Sequence, residues 1–144
     1  MSATLAVRDA EPGDAAAIAA LLAQLGYGAT PEVARARLAR SVAGGERVLV
    51  ATCEGQVLGL VALTARVTLH RERPVGQLTV LVVDEAARGA GVGEQLVAAG
   101  EAALAAAGCG TIAVTSNRAR TRAHAFYQRL GYEPTSHTFR KTLP

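Results

Sequence analysis

One mixed α and β domain spanning residues 1–144 is predicted, on three observations. A run rich in β-branched residues, 77–83, gives way through residues 88–93 to a stretch of good helix formers, 94–107. Strand-like and helix-like segments follow the order β-α-α-β-β-β-α-β-α-β, with no repeat, low-complexity segment or linker between them. The 144 residues suffice for one sizeable core and leave no room for a second catalytic module.

Each element has its own signal. Leu5-Ala6-Val7-Arg8 reads as a first strand, and Pro12-Gly13-Asp14 as a turn in which Asp14 offers the short acceptor side chain of a helix cap. The helix that follows sets Ile18, Leu21, Leu22 and Leu25 at spacings of three and four and stops at Gly26. Thr30 can cap a second helix that tolerates Pro31 in its first turn, with Val33 and Leu38 on its apolar face and Gly44-Gly45 as its end. Residues 47–53 and 56–68 form two strand patterns joined by a turn at Glu54-Gly55, a hairpin. A charged loop, 71–74, precedes the strand at 77–83. After the long helix come a strand at 111–115, a helix at 121–130 capped by Gly131, and a last strand at 135–143.

Composition excludes several classes of function. The N-terminal residues carry Arg8, Asp9, Glu11 and Asp14 with no continuous apolar run, so neither a signal peptide nor a membrane anchor is expected, and the protein should be cytoplasmic. Fifteen Lys and Arg against twelve Asp and Glu leave a net charge of +3. That charge is spread without interleaved aromatic residues, so nucleic acid is not an expected partner. Cys53 and Cys109 are too few for a disulfide framework, and no Cys or His spacing suggests a metal site.

The densest chemical signal is Arg88-Gly89-Ala90-Gly91-Val92-Gly93 at the strand-to-helix junction. Glycines there let the backbone approach a ligand and turn successive N–H groups toward an anion, and the new helix adds the positive end of its dipole. A Walker A loop would need a lysine after its last glycine, and the only lysine is Lys141. A dinucleotide fingerprint would need glycine at Glu94 or at Leu96. A second motif lies downstream, where Asn117 ends a strand and His124-Ala125-Phe126-Tyr127-Gln128-Arg129-Leu130-Gly131-Tyr132 makes a short helix and its exit.

Together, R-x-x-G-x-G after L-x-V-D and the pattern N…F-Y-x-x-x-G-Y resemble the GNAT superfamily of acetyl-CoA-dependent N-acetyltransferases over nearly the whole chain. The resemblance implies a three-layer α-β-α sandwich around a mixed, mostly antiparallel sheet of six to seven strands, the GNAT or acyl-CoA N-acyltransferase fold. It implies acetyl-CoA as acyl donor, a primary amine of a small molecule or peptide as acceptor, and direct attack in a ternary complex. By the same resemblance, Arg88, Gly89, Ala90, Gly91, Val92 and Gly93 would hold the pyrophosphate. Leu81, Val82 and Val83 would offer backbone N–H groups to the pantetheine and the thioester carbonyl, and Asn117 would bind the pantetheine or the start of the next helix. Tyr127 would protonate the departing thiolate, a phenol of pKa about 10 being a donor at neutral pH. Its spacing with Ala123, Phe126 and Leu130 would also place it on one packed helical face. Arg118, Arg120 and Arg122 are open to a phosphate role or to a solvated helix start, and relatives' habits leave both a homodimer through the last strand and a monomer open.

One departure stands out. Many relatives carry a glutamate on the strand before the loop to take the amine's proton, and here that strand offers Gln77 and Thr79. Asp84 and Glu85 at its end suit a turn, and His70, Glu72, His124 and His137 are substitutes for which surface or packing roles weigh as much. An alkylamine of pKa about 10.4 is neutral in only about one molecule in a few thousand at pH 7, so the proton needs a destination. The rival reading, a noncatalytic acyl-CoA-binding regulatory domain, draws its support from this gap. The resemblance implies an acceptor pocket between the first two helices and the loop at 66–75, whose Arg71 and Arg73 favour an amine that also carries a carboxylate, or a peptide N-terminus.

Overall fold

The computed structural model describes residues 4–116 and 118–144. Five strands, β1 (Leu5–Asp9), β2 (Arg47–Cys53), β3 (Gln56–Arg66), β4 (Val75–Val83) and β5 (Thr111–Val114), lie side by side in sequence order. The first three pairings are antiparallel and the last, β4 with β5, is parallel. Four helices complete the fold: α1 (Ala15–Leu25), α2 (Pro31–Ala43), α3 (Val92–Ala106) and α4 (Thr121–Arg129).

Alternation along the strands sorts the core into two layers. Val48, Val50, Leu60 and Ala62 face α1 and α2, where they meet Ile18, Ala19, Leu21, Ala34 and Leu38. Leu49, Ala51, Val61 and Leu63 face the other way, onto Val92, Leu96, Val97 and Leu104 of α3. With a period of two, adjacent strand residues must serve opposite faces, so uninterrupted apolar runs such as 48–51 and 60–63 require helices on both. The three-layer architecture expected from the sequence is present.

The last strand is not. Residues 135–143 pair with nothing among the described residues, and Phe139 and Leu143 stand exposed, so the sheet has five strands in place of six to seven. A strand is held by a paired edge and an apolar face, and this segment has only those two large apolar residues to bury. Two smaller readings also shift. Val33 is exposed and Ala34 takes its place in the core beside Leu38. Thr30 caps α2 as expected, through Val33 N at 3.2 Å.

Asp14 sits at the start of α1 without capping it by a side-chain hydrogen bond. Its carboxylate instead accepts from both Arg8 guanidinium nitrogens, at 2.8 and 2.9 Å, and from the Glu11 backbone at 2.7 Å. The Arg8 bonds hold its pKa below the ordinary 3.8 against the opposing effect of burial. A depressed pKa contributes stability that is complete above about pH 4 and fades as pH falls through the folded-state value. Asp14→Asn should therefore lower stability by about 1–2 kcal/mol at pH 7, discounted for the partly exposed Arg8. In chemical denaturation, the gap from the parent chain should narrow progressively as pH falls below about 4.

The position that matters most for the site is a bulge. Ala62 pairs with Val80 and Leu63 with Leu78, which leaves Thr79 as an extra residue on β4. Leu78 therefore points to the α3 layer while Val80 and Val82 point to α1 and α2, a phase change that a regular strand could not make. Pairing between β4 and β5 also ends at Leu78 and Val114, so from Thr79 onward β4 has no partner on that side among the described residues.

Candidate active site

The opening between β4 and β5 leads to the glycine loop. Asp84 N donates to Leu58 O at 2.8 Å, which extends the β3 side by one bond, and a short turn at Glu85–Ala87 follows. Asp84 caps that turn through Ala86 N at 3.1 Å, while Gln24 of α1 accepts from Glu85 N at 3.0 Å. These bonds tie the end of α1 to the strand exit, and they give Asp84 the turn-shaping part expected of it. Gly89 and Gly91 then take φ of +86° and +81°, where a side chain is strained, and Gly91 is the N-terminal cap of α3. Arg88 is exposed beside them and forms no ion pair with the described residues.

Helix α4 is laid against this junction. The Phe126 ring lies close to Gly93, where an added Cβ would approach it to 3.3 Å. Tyr127 stacks edge-on with Phe126 and with Tyr132, at centroid distances of 5.3 and 5.8 Å. Burial raises the pKa of the Tyr127 phenol above its ordinary value, opposed by the positive charge of Arg120. The neighbouring Tyr132 donates its hydroxyl to Glu101 Oε2 at 2.9 Å, and burial and that carboxylate push its pKa far up. The two phenols thus differ: Tyr132 is committed to a structural bond, and the Tyr127 hydroxyl has no hydrogen-bond partner among the described residues. Arg120, at the start of α4, donates to Leu25 O at the end of α1 at 3.4 Å, a single link between the two helices. Arg118 and Arg122 are exposed, and Asn117 lies outside the described residues.

On the α1 and α2 side of the sheet is an apolar cleft of about 180 Å³. Its walls include Ile18, Leu22, Leu38, Val48, Leu60 and Val80, and Arg37, Ser41 and Glu46 stand at its edge. A shallower depression adjoins it, lined by Arg37, Arg40, Ser41, Gly44, Glu46 and Thr64. Neither Arg37 nor Arg40 is in an ion pair among the described residues. Helices α1 and α2 line this space, and no residue of the loop at 66–75 does. Arg73 is turned away, its guanidinium donating to Gly108 O and Cys109 O at 3.1 Å beside β5. His70 and Glu72 are exposed in that same loop, which β4 separates from the glycine loop by a strand of about 25 Å, and His137 is exposed in the C-terminal segment. His124 lies on α4, one turn before Gln128.

Sequence reasoning alone does not single out Glu46. It enters the site because Gly44 and Gly45 reverse the chain after α2, with Gly45 at φ +99°, and Glu46 N donates back to Ser41 O at 3.0 Å. Its carboxylate accepts from the Ser41 hydroxyl through Oε1 and from the Thr79 hydroxyl through Oε2. A Gly-Gly-Glu reversal between helix and strand was visible in the sequence, but its neighbour Thr79, thirty-three positions away, was not.

A five-stranded mixed sheet with an opened parallel pair, a glycine loop and helices on both faces is the fold of known acyltransferases. The chain superposes with a TM-score of 0.87 on an aminoglycoside N-acetyltransferase in complex with CoA, at 22% identity over 99% of this chain and 97% of that one, a likeness of fold. In sequence it is 32% identical, over 96% of its length and 92% of the relative, to an aminoglycoside N(6')-acetyltransferase type 1 from Stenotrophomonas maltophilia. It is also 35% identical over 89 residues to an aminoalkylphosphonate N-acetyltransferase from Salmonella typhimurium, a match that takes in 62% of this chain and only 58% of that protein. The family model described as an acetyltransferase (GNAT) domain matches residues 44–134. The chain belongs to the GNAT family of N-acetyltransferases.

Proposed function

We propose that residues 1–144 act as a single N-acetyltransferase domain that moves an acetyl group from acetyl-CoA to a primary amine by direct attack in a ternary complex. The observation that carries this reading is the parting of β4 from β5 after Leu78, next to the glycine loop and to Tyr127. Backbone N–H groups of residues 88–93, with Arg88, would hold the CoA pyrophosphate at the start of α3. The unpaired edge at Leu81, Val82 and Val83 would bind the pantetheine as an added strand and polarise the thioester carbonyl. Asn117 would hydrogen-bond the pantetheine. The amine nitrogen attacks the carbonyl carbon, the C–S bond breaks, and the Tyr127 phenol protonates the leaving thiolate.

The acceptor would lie in the cleft beneath α1 and α2. Its apolar walls suit a short carbon skeleton, and its rim offers one carboxylate, Glu46, with two cations, Arg37 and Arg40. That balance favours a small amine bearing a carboxylate or phosphonate over a polycation, which would call for several acids. The aminoalkylphosphonate relative fits this preference and the aminoglycoside relative argues against it. In the acyl-transfer assay, an amino acid or aminoalkylphosphonate should give kcat/KM about tenfold or more above a polyamine or aminoglycoside; the reverse order would reject the acceptor assignment. Initial-rate lines at varied acetyl-CoA should intersect. Parallel lines would indicate an acyl-enzyme and reject direct attack. Among the described residues no helix is long and apolar enough to cross a membrane.

A further inference from the structure

We infer that Glu46 is the group that takes the proton from the acceptor amine, an inference that rests on the N-acetyltransferase reading above. An alkylammonium ion of pKa about 10.4 cannot attack until it loses a proton, so an acceptor for that proton belongs within reach of the opened edge of β4. Most acids and bases near the sheet are elsewhere or occupied. Asp84 is spent on the turn after β4, Asp9 on Arg47, and Asp14 on Arg8. Glu101 accepts from Tyr132. His70 and Glu72 lie at the opposite end of β4, and His137 is in the exposed C-terminal segment.

Glu46 stands apart on three counts. Its carboxylate borders both the apolar cleft and the basic depression, so it faces the space an amine would enter. It is fixed there from both sides, by the Ser41 hydroxyl in the last turn of α2 and by the Thr79 hydroxyl of β4. Thr79 is the bulged residue and also the first residue of β4 beyond its pairing with β5. The bulge thus aims Thr79 at Glu46 at the level where the strands part, and a carboxylate from the turn just before β2 reaches over β3 to fill a role that β4 itself has no acid to perform. With one hydrogen bond accepted by each oxygen, the group keeps acceptor capacity to spare, as a carboxylate with about four acceptor positions allows.

The proton balance closes. One proton passes from the ammonium nitrogen to the Glu46 carboxylate, and the freed lone pair forms the N–C bond at the thioester carbonyl. Collapse of the tetrahedral adduct breaks the C–S bond as Tyr127 gives its proton to sulfur. The second N–H proton leaves the adduct and restores the phenol through solvent. Glu46 then releases its proton to solvent, which matches the single proton produced when an ammonium ion is acetylated.

The test is Glu46→Gln, with Thr79→Val as a positioning variant. Glu46→Gln should lower kcat/KM for the amine about 100-fold near pH 7 while the thermal shift by CoA and the KM for acetyl-CoA stay at wild-type values. Its deficit should shrink toward pH 10, where solvent supplies the neutral amine. Thr79→Val keeps the carboxylate and should lose about tenfold or less. An active wild type with a Glu46→Gln variant within about threefold of it at every pH overturns the role of Glu46 and leaves the enzyme reading intact. A wild type that binds CoA and acetylates no amine overturns that reading, and this inference with it.

Discussion

Tyr127→Phe should keep CoA binding and lower kcat about 1,000-fold, within the range that general acid catalysis supplies. The variant keeps the ring, and the ring is what packs: its edge contacts with Phe126 and Tyr132 do not involve the hydroxyl. A loss of rate with an unchanged melting temperature therefore reports the phenol's chemistry. Burial favours the neutral phenol, so its pKa lies above 10, and the protonated form required of a donor persists across the physiological range. The sign follows directly: the rate should fall on the alkaline side above pH 10, where the phenol ionises, and an alkaline limb attributable to Tyr127 should be absent in the phenylalanine variant. Tyr132→Phe is the contrast, since that hydroxyl already donates to Glu101. It should change stability by about 1 kcal/mol and leave kcat nearly intact. Turnover of Tyr127→Phe within a few-fold of wild type would remove the residue from the mechanism.

The second large effect is expected at Gly91. Its φ of +81° at the start of α3 is reached readily by glycine and poorly by a β-branched residue, although there is open space where a side chain would stand. Gly91→Val should therefore act by turning the backbone of the loop, and the N–H groups that aim at the anion move with it. The dissociation constant for CoA, read by calorimetry, should rise about 100-fold. Arg88→Ala removes one exposed charge and leaves the loop in place, so its loss should be nearer tenfold and should shrink as salt is added. Equal CoA affinity in Gly91→Val and wild type would separate the loop from the cofactor.

Local signals carried most of the fold. The glycine loop, the Thr30 cap, the Glu54-Gly55 hairpin and the doubly apolar runs of β2 and β3 each depend on neighbours a few residues apart, and each is found in the structure. What failed or was missed depends on distant partners. Leu78-Thr79-Val80 reads as ordinary strand, with no glycine or proline to mark the bulge, because the extra residue exists only relative to Ala62 and Leu63. Residues 135–143 resemble a strand in isolation and find neither an edge nor a core to join. The loop at 66–75 is expected at the acceptor pocket from the family resemblance, and Arg73 within it instead binds backbone at Gly108 and Cys109, just before β5. Glu46 and Thr79 are thirty-three positions apart in sequence, and only the sheet brings them together.

The most direct measurement is thiol release from acetyl-CoA against a mixed panel of amines, with the thermal shift by CoA recorded on the same sample. The account predicts a clear CoA shift and turnover that is highest on small amines bearing a carboxylate or phosphonate. A CoA shift with no turnover on any pool would instead describe a noncatalytic acyl-CoA-binding domain, and the absence of both would contradict the assignment of the glycine loop and the opened β4 edge as a cofactor site.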